Sequence, residues 1–255
     1  MHILVTNDDG IFAPGIFALQ KAMHAVPGAT VTVMAPAQNQ SAAGHRKTLA
    51  DPLRINPVEL TDGTPGFACS GSPADSIAMA LLGFIKEKVD IVVSGINQGP
   101  NLAQDITYSG TVTAAMEGAI FGVPSIAFSL GSYEKAEFDT AARFAARIVP
   151  IVLEKGLPEM TLLNVNIPLD PIKGVRVTRQ GRRLYHDLLV ERIDPVGRPY
   201  YWIGGERPTG DIEEIDTDVW AVDQGYISIT PIHLDMTAHL LIDTVRSWDL
   251  NVDGL

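Results

Sequence analysis

Short apolar runs alternate with helical periodicity along most of the chain. Ile3-Leu4-Val5-Thr6 is a compact apolar run that stops at Asn7-Asp8-Asp9-Gly10, the pattern of a buried strand entering a turn. Ile16, Leu19, Ala22, Met23 and Val26 then recur at helical spacing behind Pro14, which predicts a helix over 14–26. Residues 30–35 form a β-branched, apolar strand stopped by Pro36. A strand, helix and strand in this order open a doubly wound parallel sheet. Residues 53–55 and 66–69 read as short strands around a turn at Thr61-Asp62-Gly63. Ser72-Pro73-Ala74-Asp75 has the form of an N-cap, a first-turn proline and a capping-box acid. The helix it starts is expected to carry Ile77, Ala78, Leu81, Leu82 and Ile85 inward, and residues 89–94 read as a central parallel strand.

The second half continues the alternation. A helix over 112–121 has a small face of Ala115, Gly118 and Ala119, and residues 124–129 are a strand. A helix is predicted over 135–153, with Phe138, Ala141, Ala145, Ile148, Val149 and Val152 inward. Strands over 161–167 and 175–178 complete the sheet. From Gly181 the character changes. Arg182-Arg183, Tyr185-His186 and the Pro/Gly-rich stretch 194–210 predict an arm or long hairpin. The acidic run 211–218 reads as a solvated loop, 221–232 as a returning strand and 236–248 as an amphipathic helix. The expected architecture is α/β: a three-layer, Rossmann-like, doubly wound and mainly parallel sheet. Residues 1–180 form that core, and 181–255 an extension of hairpin, strand and terminal helix.

Composition narrows the functional classes. The 255 residues suffice for a full core, and no apolar run reaches the roughly 18 residues of a membrane span. Met1-His2-Ile3 is already strand without a basic stretch before it, so no signal peptide is expected. Cys69 is the only cysteine and forms no intrachain disulfide, which makes a reducing, cytoplasmic home the expectation. A net charge of −11 argues against polymeric nucleic acid as a surface partner. A small anionic substrate then needs local cations or backbone amides. There is no G-x-G-x-x-G after the first strand and no Walker A sequence, which weakens dehydrogenase and ATPase readings.

Candidate chemistry lies where strands end. Adjacent Asp8 and Asp9 repel each other unless a positive group intervenes, so they read either as divalent-cation ligands or as plain Asx-turn chemistry. The loop 36–51, with Ser41 in it, leaves the second strand, and Asn97 follows the 89–94 strand. Such a loop is either functional or a surface connection. Ser109-Gly110-Thr111 enters a helix, where exposed amides and hydroxyls make either an anion site or an ordinary cap. In a parallel sheet all these strand ends share one edge, and right-handed crossovers put the reversal of strand order beside Asp8 and Asp9. Four oxygen ligands from three loops, Asp8, Asp9, Ser41 and Asn97, suit one Mg²⁺ or Mn²⁺. A metal beside an anion pocket points to phosphoryl chemistry.

The motifs Asn7-Asp8-Asp9-Gly10, Ala13-Pro14-Gly15, Gly71-Ser72-Pro73-Ala74-Asp75, Ser94-Gly95-Ile96-Asn97-Gln98-Gly99-Pro100-Asn101 and Tyr108-Ser109-Gly110-Thr111-Val112 resemble the SurE family of stationary-phase survival proteins. The likeness runs on through Val175 to Arg179, Tyr201 to Gly204 and Gly225 to Pro231. It implies a metal-dependent 5′/3′-nucleotidase, a phosphoric monoester hydrolase acting on nucleoside monophosphates, with short polyphosphate as a further substrate. Asp8, Asp9, Ser41 and Asn97 match the family's metal ligands; Asn101, Ser109, Gly110 and Thr111 match its phosphate-side residues. The chain departs from the family pattern at Ala37-Gln38 and at Ser76, away from any ligand position.

Two mechanisms stay open: attack by metal-bound water, with Asp8 or Asp9 as base and Ser109 stabilising the charge, or attack by Asp8 itself. A metal-dependent nucleotide-binding module without turnover is the non-enzymatic alternative. Tyr200, Tyr201 and Trp202 cannot all face one side of a strand. Leu240, Leu241, Val245 and Trp248 leave an apolar face with little chain to cover it. With the resemblance, these aromatics and apolar groups lead to the expectation of a homodimer or homotetramer built partly by the extension.

Overall fold

Every position of β1 (His2–Thr6) is buried, because this strand has parallel neighbours on both sides and helices over both faces. The computed structural model describes residues 1–250. After β1 come α1 (Pro14–His24), β2 (Thr30–Pro36), β3 (Ile55–Glu59), β4 (Pro65–Cys69), α2 (Pro73–Met79) and β5 (Ile91–Asn97). Next are α3 (Gly110–Ile120), β6 (Ser125–Leu130), α4 (Asp139–Lys155), β7 (Thr161–Ile167) and β8 (Gly174–Val177). The chain ends with β9 (Arg183–Ile193), β10 (Pro199–Gly210), α5 (Asp218–Asp223), β11 (Tyr226–His233) and α6 (Ile242–Arg246).

Nine strands form one sheet in the order β3-β4-β2-β1-β5-β6-β7-β11-β8. Alternate residues of β1 feed opposite layers. Ile3 and Val5 pack with Leu19 of α1 and Val149 of α4, whereas Leu4 packs with Ile77 of α2 and Ala114 of α3. This is the expected three-layer, mainly parallel α/β fold. Antiparallel pairing occurs at the margins, between β3 and β4 and between β7 and β11. Strand order reverses at β1, with β2 on one side and β5 on the other, so the carboxyl ends of β1 and β5 flank the crevice where such sheets bind ligands.

Several local expectations are corrected. The helix begun by the Ser72–Asp75 capping box runs into a wide turn over Ala80–Phe84, closed by an Ile85 N–H to Ala80 carbonyl bond of 3.2 Å. That extra residue per turn and Gly83 at φ 114° shift the buried face, so Leu82 points to solvent (71% exposed) instead of inward. The fourth helix starts at Asp139, not at residue 135. Just upstream, the Tyr133 carbonyl takes Gln98 Nε2 at 2.9 Å and its ring lies over Gly99, which ties the approach to the helix to the end of β5. The predicted strand 221–232 begins only at Tyr226, because Thr217 caps a helix through the Trp220 N–H. The predicted helix 236–248 is a short 3₁₀ turn, His239–Leu241, followed by α6, and neither has a buried residue.

The stretch beyond Gly181 returns to the core in one strand, since β11 sits between β7 and β8. β9 and β10 pair as a separate antiparallel hairpin that exposes Leu189, Trp202 and Ile203. Residues 251–255 of the expected extension lie outside the described residues. Among the described residues, no helix is long and apolar enough to cross a membrane.

The acidic run 211–218 is solvated over residues 212–216 but not at its two ends. Asp218 is fully buried and accepts the backbone N–H groups of Ala103 and Gly181, each at 2.8 Å, and that of Val219. It ties the base of the hairpin to the segment that leads into α3. Asp218→Ala leaves these buried donors unpaired and should lower unfolding stability by about 2–4 kcal/mol, read from urea denaturation. The exposed Asp223→Ala should change it by less than about 0.5 kcal/mol, and equal effects would contradict this role.

Candidate active site

The turn after β1 is built by its own side chains and by glycine. Asn7 Nδ2 donates to the Gly10 carbonyl at 2.9 Å, and Gly10 takes φ 103°. A β-carbon at Gly10 would lie 3.2 Å from the backbone of Gln38, so the turn and the loop after β2 touch directly. The Gln40 N–H donates to the Asp8 carbonyl at 2.7 Å, which ties that loop to the turn a second time.

Asp8 is 3% exposed, and its carboxylate lies against the first turn of α3. The Thr111 hydroxyl donates to Asp8 Oδ1. The contact requires glycine at position 110, where a β-carbon would sit 2.6 Å from Asp8 Cβ. Burial pushes the Asp8 carboxyl up to about 6 and neighbouring Asp9 adds to the rise, against the hydrogen bonds from Thr111. Asp9 is half-buried and also raised by burial, opposed by the Gln98 backbone N–H. Among the described residues, no Lys, Arg or His pairs with either carboxylate. Thr6 Oγ1, Asn7 Oδ1 and Ser94 Oγ are buried close by without a partner, and Thr6 and Ser94 face each other in register across β1 and β5.

The other expected residues divide. Asn97 ends β5, its Nδ2 committed to the Gly99 carbonyl at 2.8 Å, so its Oδ1 is the atom left to bind. Ser41 is exposed and follows Gln40, with its N–H on Asn39 Oδ1 at 2.7 Å. Ser109 is the N-cap of α3, accepting the Val112 N–H at 3.1 Å. Asn101 is buried in a knot of amides. Its Nδ2 donates to Ser129 Oγ, its N–H to Asn166 Oδ1, and its carbonyl accepts from Asn164 and Asn166.

Sequence reasoning missed the Thr111–Asp8 bond and the Gln98 amide; no spacing links residues so far apart in the chain. It also missed a cavity of about 450 Å³ beside Asp9, lined by Phe12, Gln38, Asn39, Gln98 and Phe138. Among the described residues, Asp9 is the only charged group on its wall.

No three His, Cys, Asp or Glu side chains converge among the described residues. A cation at this edge would therefore use two carboxylates with neutral oxygens and water, a hard-donor set that fits Mg²⁺ or Mn²⁺. The unpaired buried carboxylate is the feature that fits such an ion best.

A family model described as "Survival protein SurE" matches residues 3–187. The chain belongs to the SurE family. It is 48% identical over 254 residues to "5'-nucleotidase SurE" of Chloroflexus aggregans, covering 98% of this chain and 99% of that one. It is 50% identical over 250 residues to "5'-nucleotidase SurE 1" of Thermus thermophilus, covering 96% of each. The crystal structure of the SurE protein from Aquifex aeolicus matches with a TM-score of 0.83 at 44% identity, over 96% of this chain and 98% of that one. The strand–turn segment bearing Asp8 and Asp9, the Asn97 segment and the Ser109–Thr111 segment of this SurE chain all fall within the matched region.

The Asp8 shift has a thermodynamic consequence. A carboxyl that titrates near 6 when folded and at 3.8 ordinarily binds its proton more tightly in the folded chain. The metal-free fold therefore loses stability as pH rises through that window, by about 3 kcal/mol in all. Asp8→Asn should raise the Tm of metal-free protein near pH 7.5 by roughly 6–12 °C, with the gain vanishing near pH 4. A pH-independent change, or a lower Tm near pH 7.5, would contradict the assignment.

Proposed function

We propose that this SurE-family chain is a divalent-metal-dependent phosphomonoesterase that hydrolyses nucleoside 5′-monophosphates to nucleoside and phosphate. The observation that carries the reading is the pair of buried Asp8 and half-buried Asp9 at the switch point of the sheet, with no Lys, Arg or His paired to either among the described residues. The relatives named 5'-nucleotidase, similar over nearly the whole chain, support the substrate class.

Asp8, Asp9, Asn97 through Oδ1, and Ser41 through its hydroxyl would hold one Mg²⁺ or Mn²⁺. When bound, the ion supplies charge that polarises a phosphoryl oxygen and acidifies water. The chain does the rest. Thr111 fixes the rotamer of Asp8 and keeps one of its oxygens engaged. Ser109 keeps a hydroxyl proton free to donate to a phosphate oxygen, since its bond to Val112 uses only the oxygen. Asp9, half-exposed on the cavity wall, is placed to take the proton of an attacking water. The cavity takes the nucleoside. Its carboxamides both donate and accept, and Phe12 offers an aromatic face. The 3′-monophosphates and short polyphosphate belong to the same proposal as alternative substrates.

The deciding experiment is phosphate release from AMP by protein stripped with EDTA and then given Mn²⁺ or Mg²⁺. Turnover should appear only with metal, and kcat/KM for AMP should exceed that for glycerol phosphate by roughly 10-fold or more. Hydrolysis that survives EDTA removes the metal from the reaction. Tight AMP binding without turnover under any metal would make the protein a nucleotide-binding module.

A further inference from the structure

Glu117 is a carboxylate the chemistry above does not use. It lies on α3 about two turns beyond Gly110, in the half of the helix whose dipole disfavours an anion, and it is 2% exposed. Lys47 Nζ donates to its Oε1 at 2.6 Å, and His45 Nε2 pairs with Oε2 at 2.9 Å. Burial works to raise its carboxyl, but the hydrogen bonds and charges of these two residues outweigh it and hold the carboxyl below its ordinary range. Both partners come from the loop after β2, the loop that contains Ser41.

The same loop is fastened around this pair. One helical turn back on the same face of α3, Thr113 Oγ1 lies 3.0 Å from the Gly44 carbonyl and shares its one proton between it and the Ser109 carbonyl at 2.8 Å. The Gly44 N–H reaches the Tyr108 carbonyl at 3.0 Å. Ser72 Oγ donates to the Arg46 carbonyl at 2.6 Å, and Thr48 gives both its N–H and its hydroxyl to Asp75. Asp75 is thus more than the cap its sequence suggests. At the loop's other end Gln40 is bonded to Asp8. Ser41 lies in the short span 41–43 between the Asp8 tie and the Gly44 anchor. A shift of the 44–48 anchor would carry Ser41 with it, since only two residues separate Ser41 from Gly44.

We propose that Glu117 is a positioning residue: by clamping His45 and Lys47 to α3, it sets where Ser41 stands relative to Asp8 and Asp9. The part played by Ser41 rests on the metal reading above; the clamp itself does not. A Glu117–His45–Lys47 cluster that only stabilises the fold would show the same bonds, so the test needs readouts beyond stability.

The first readout is metal-free. In Glu117→Ala, amide exchange at Gly44 and Thr48 should quicken roughly 10-fold or more while the β1 amides keep their protection. Unchanged exchange at Gly44 and Thr48 overturns the clamp. Lys47→Met, altered on a half-exposed side chain, should give a smaller loosening of the same amides and serves where Glu117→Ala does not fold. The second readout is Mn²⁺ affinity by calorimetry. Glu117→Ala, or Lys47→Met in its place, should weaken binding, about 10-fold for the alanine variant. In a Ser41→Ala background the same change should cost less than about 2-fold, because its route through Ser41 is gone. Equal losses in both backgrounds would overturn positioning through Ser41. Wild-type protein that binds no Mn²⁺ would refute the metal reading, and amide exchange would still decide the clamp.

Discussion

A carboxylate that must ionise inside a protein needs compensating charge, and Asp8 has another carboxylate as its neighbour and, among the described residues, no cationic side chain paired with it. Much of the surrounding structure bears on that single group. Its strand lies inside the sheet, between β2 and β5 and under helices on both faces, which makes it dry. The helix after β5 presents its first turn to it, and glycine at 110 lets the approach occur. The Thr111 hydroxyl and the positive end of the helix offset part of the cost of ionisation but leave the carboxyl raised. On the reading proposed above, a divalent cation between Asp8 and Asp9 would offset the remainder.

The fold also explains how distant segments meet there. Reversal of strand order at β1 places the loops after β2 and β5 on either side of the Asp8–Asp9 turn. The helix α3 then acts as a beam with contacts along its length: Thr111 to Asp8, Thr113 to Gly44, and Glu117 to His45 and Lys47. Placement of the first carboxylate and of the loop that faces it thereby depends on one rigid element. Asp218 and the Asn101 knot brace the segments leading into that helix from the far side.

Much of this was legible in the chain. Apolar runs ending in Asn7-Asp8-Asp9-Gly10 and in Gly95-Ile96-Asn97 announce buried parallel strands with polar ends, and shared strand direction brings those ends together. The Ser72 capping box was readable because all its partners lie within one turn. Contacts across the sequence were not readable. Thr111 meets Asp8 and Lys47 meets Glu117 only after the sheet assembles, and no local period encodes either pair. Leu82 fits a helical face by spacing, but the wide turn before Gly83 changes the phase. Asp218 looked like one more solvated acid, because nothing nearby in sequence reveals the backbone amides it serves.

The central claim is that one divalent cation binds between the turn after β1 and the end of β5. Anomalous diffraction from crystals grown with Mn²⁺ tests it most directly. The account predicts one strong peak within bonding distance of the Asp8 and Asp9 carboxylates and of Asn97 Oδ1, absent from the Asp8→Asn variant. A peak elsewhere, or no peak at this edge in protein that hydrolyses AMP with Mn²⁺, would contradict it.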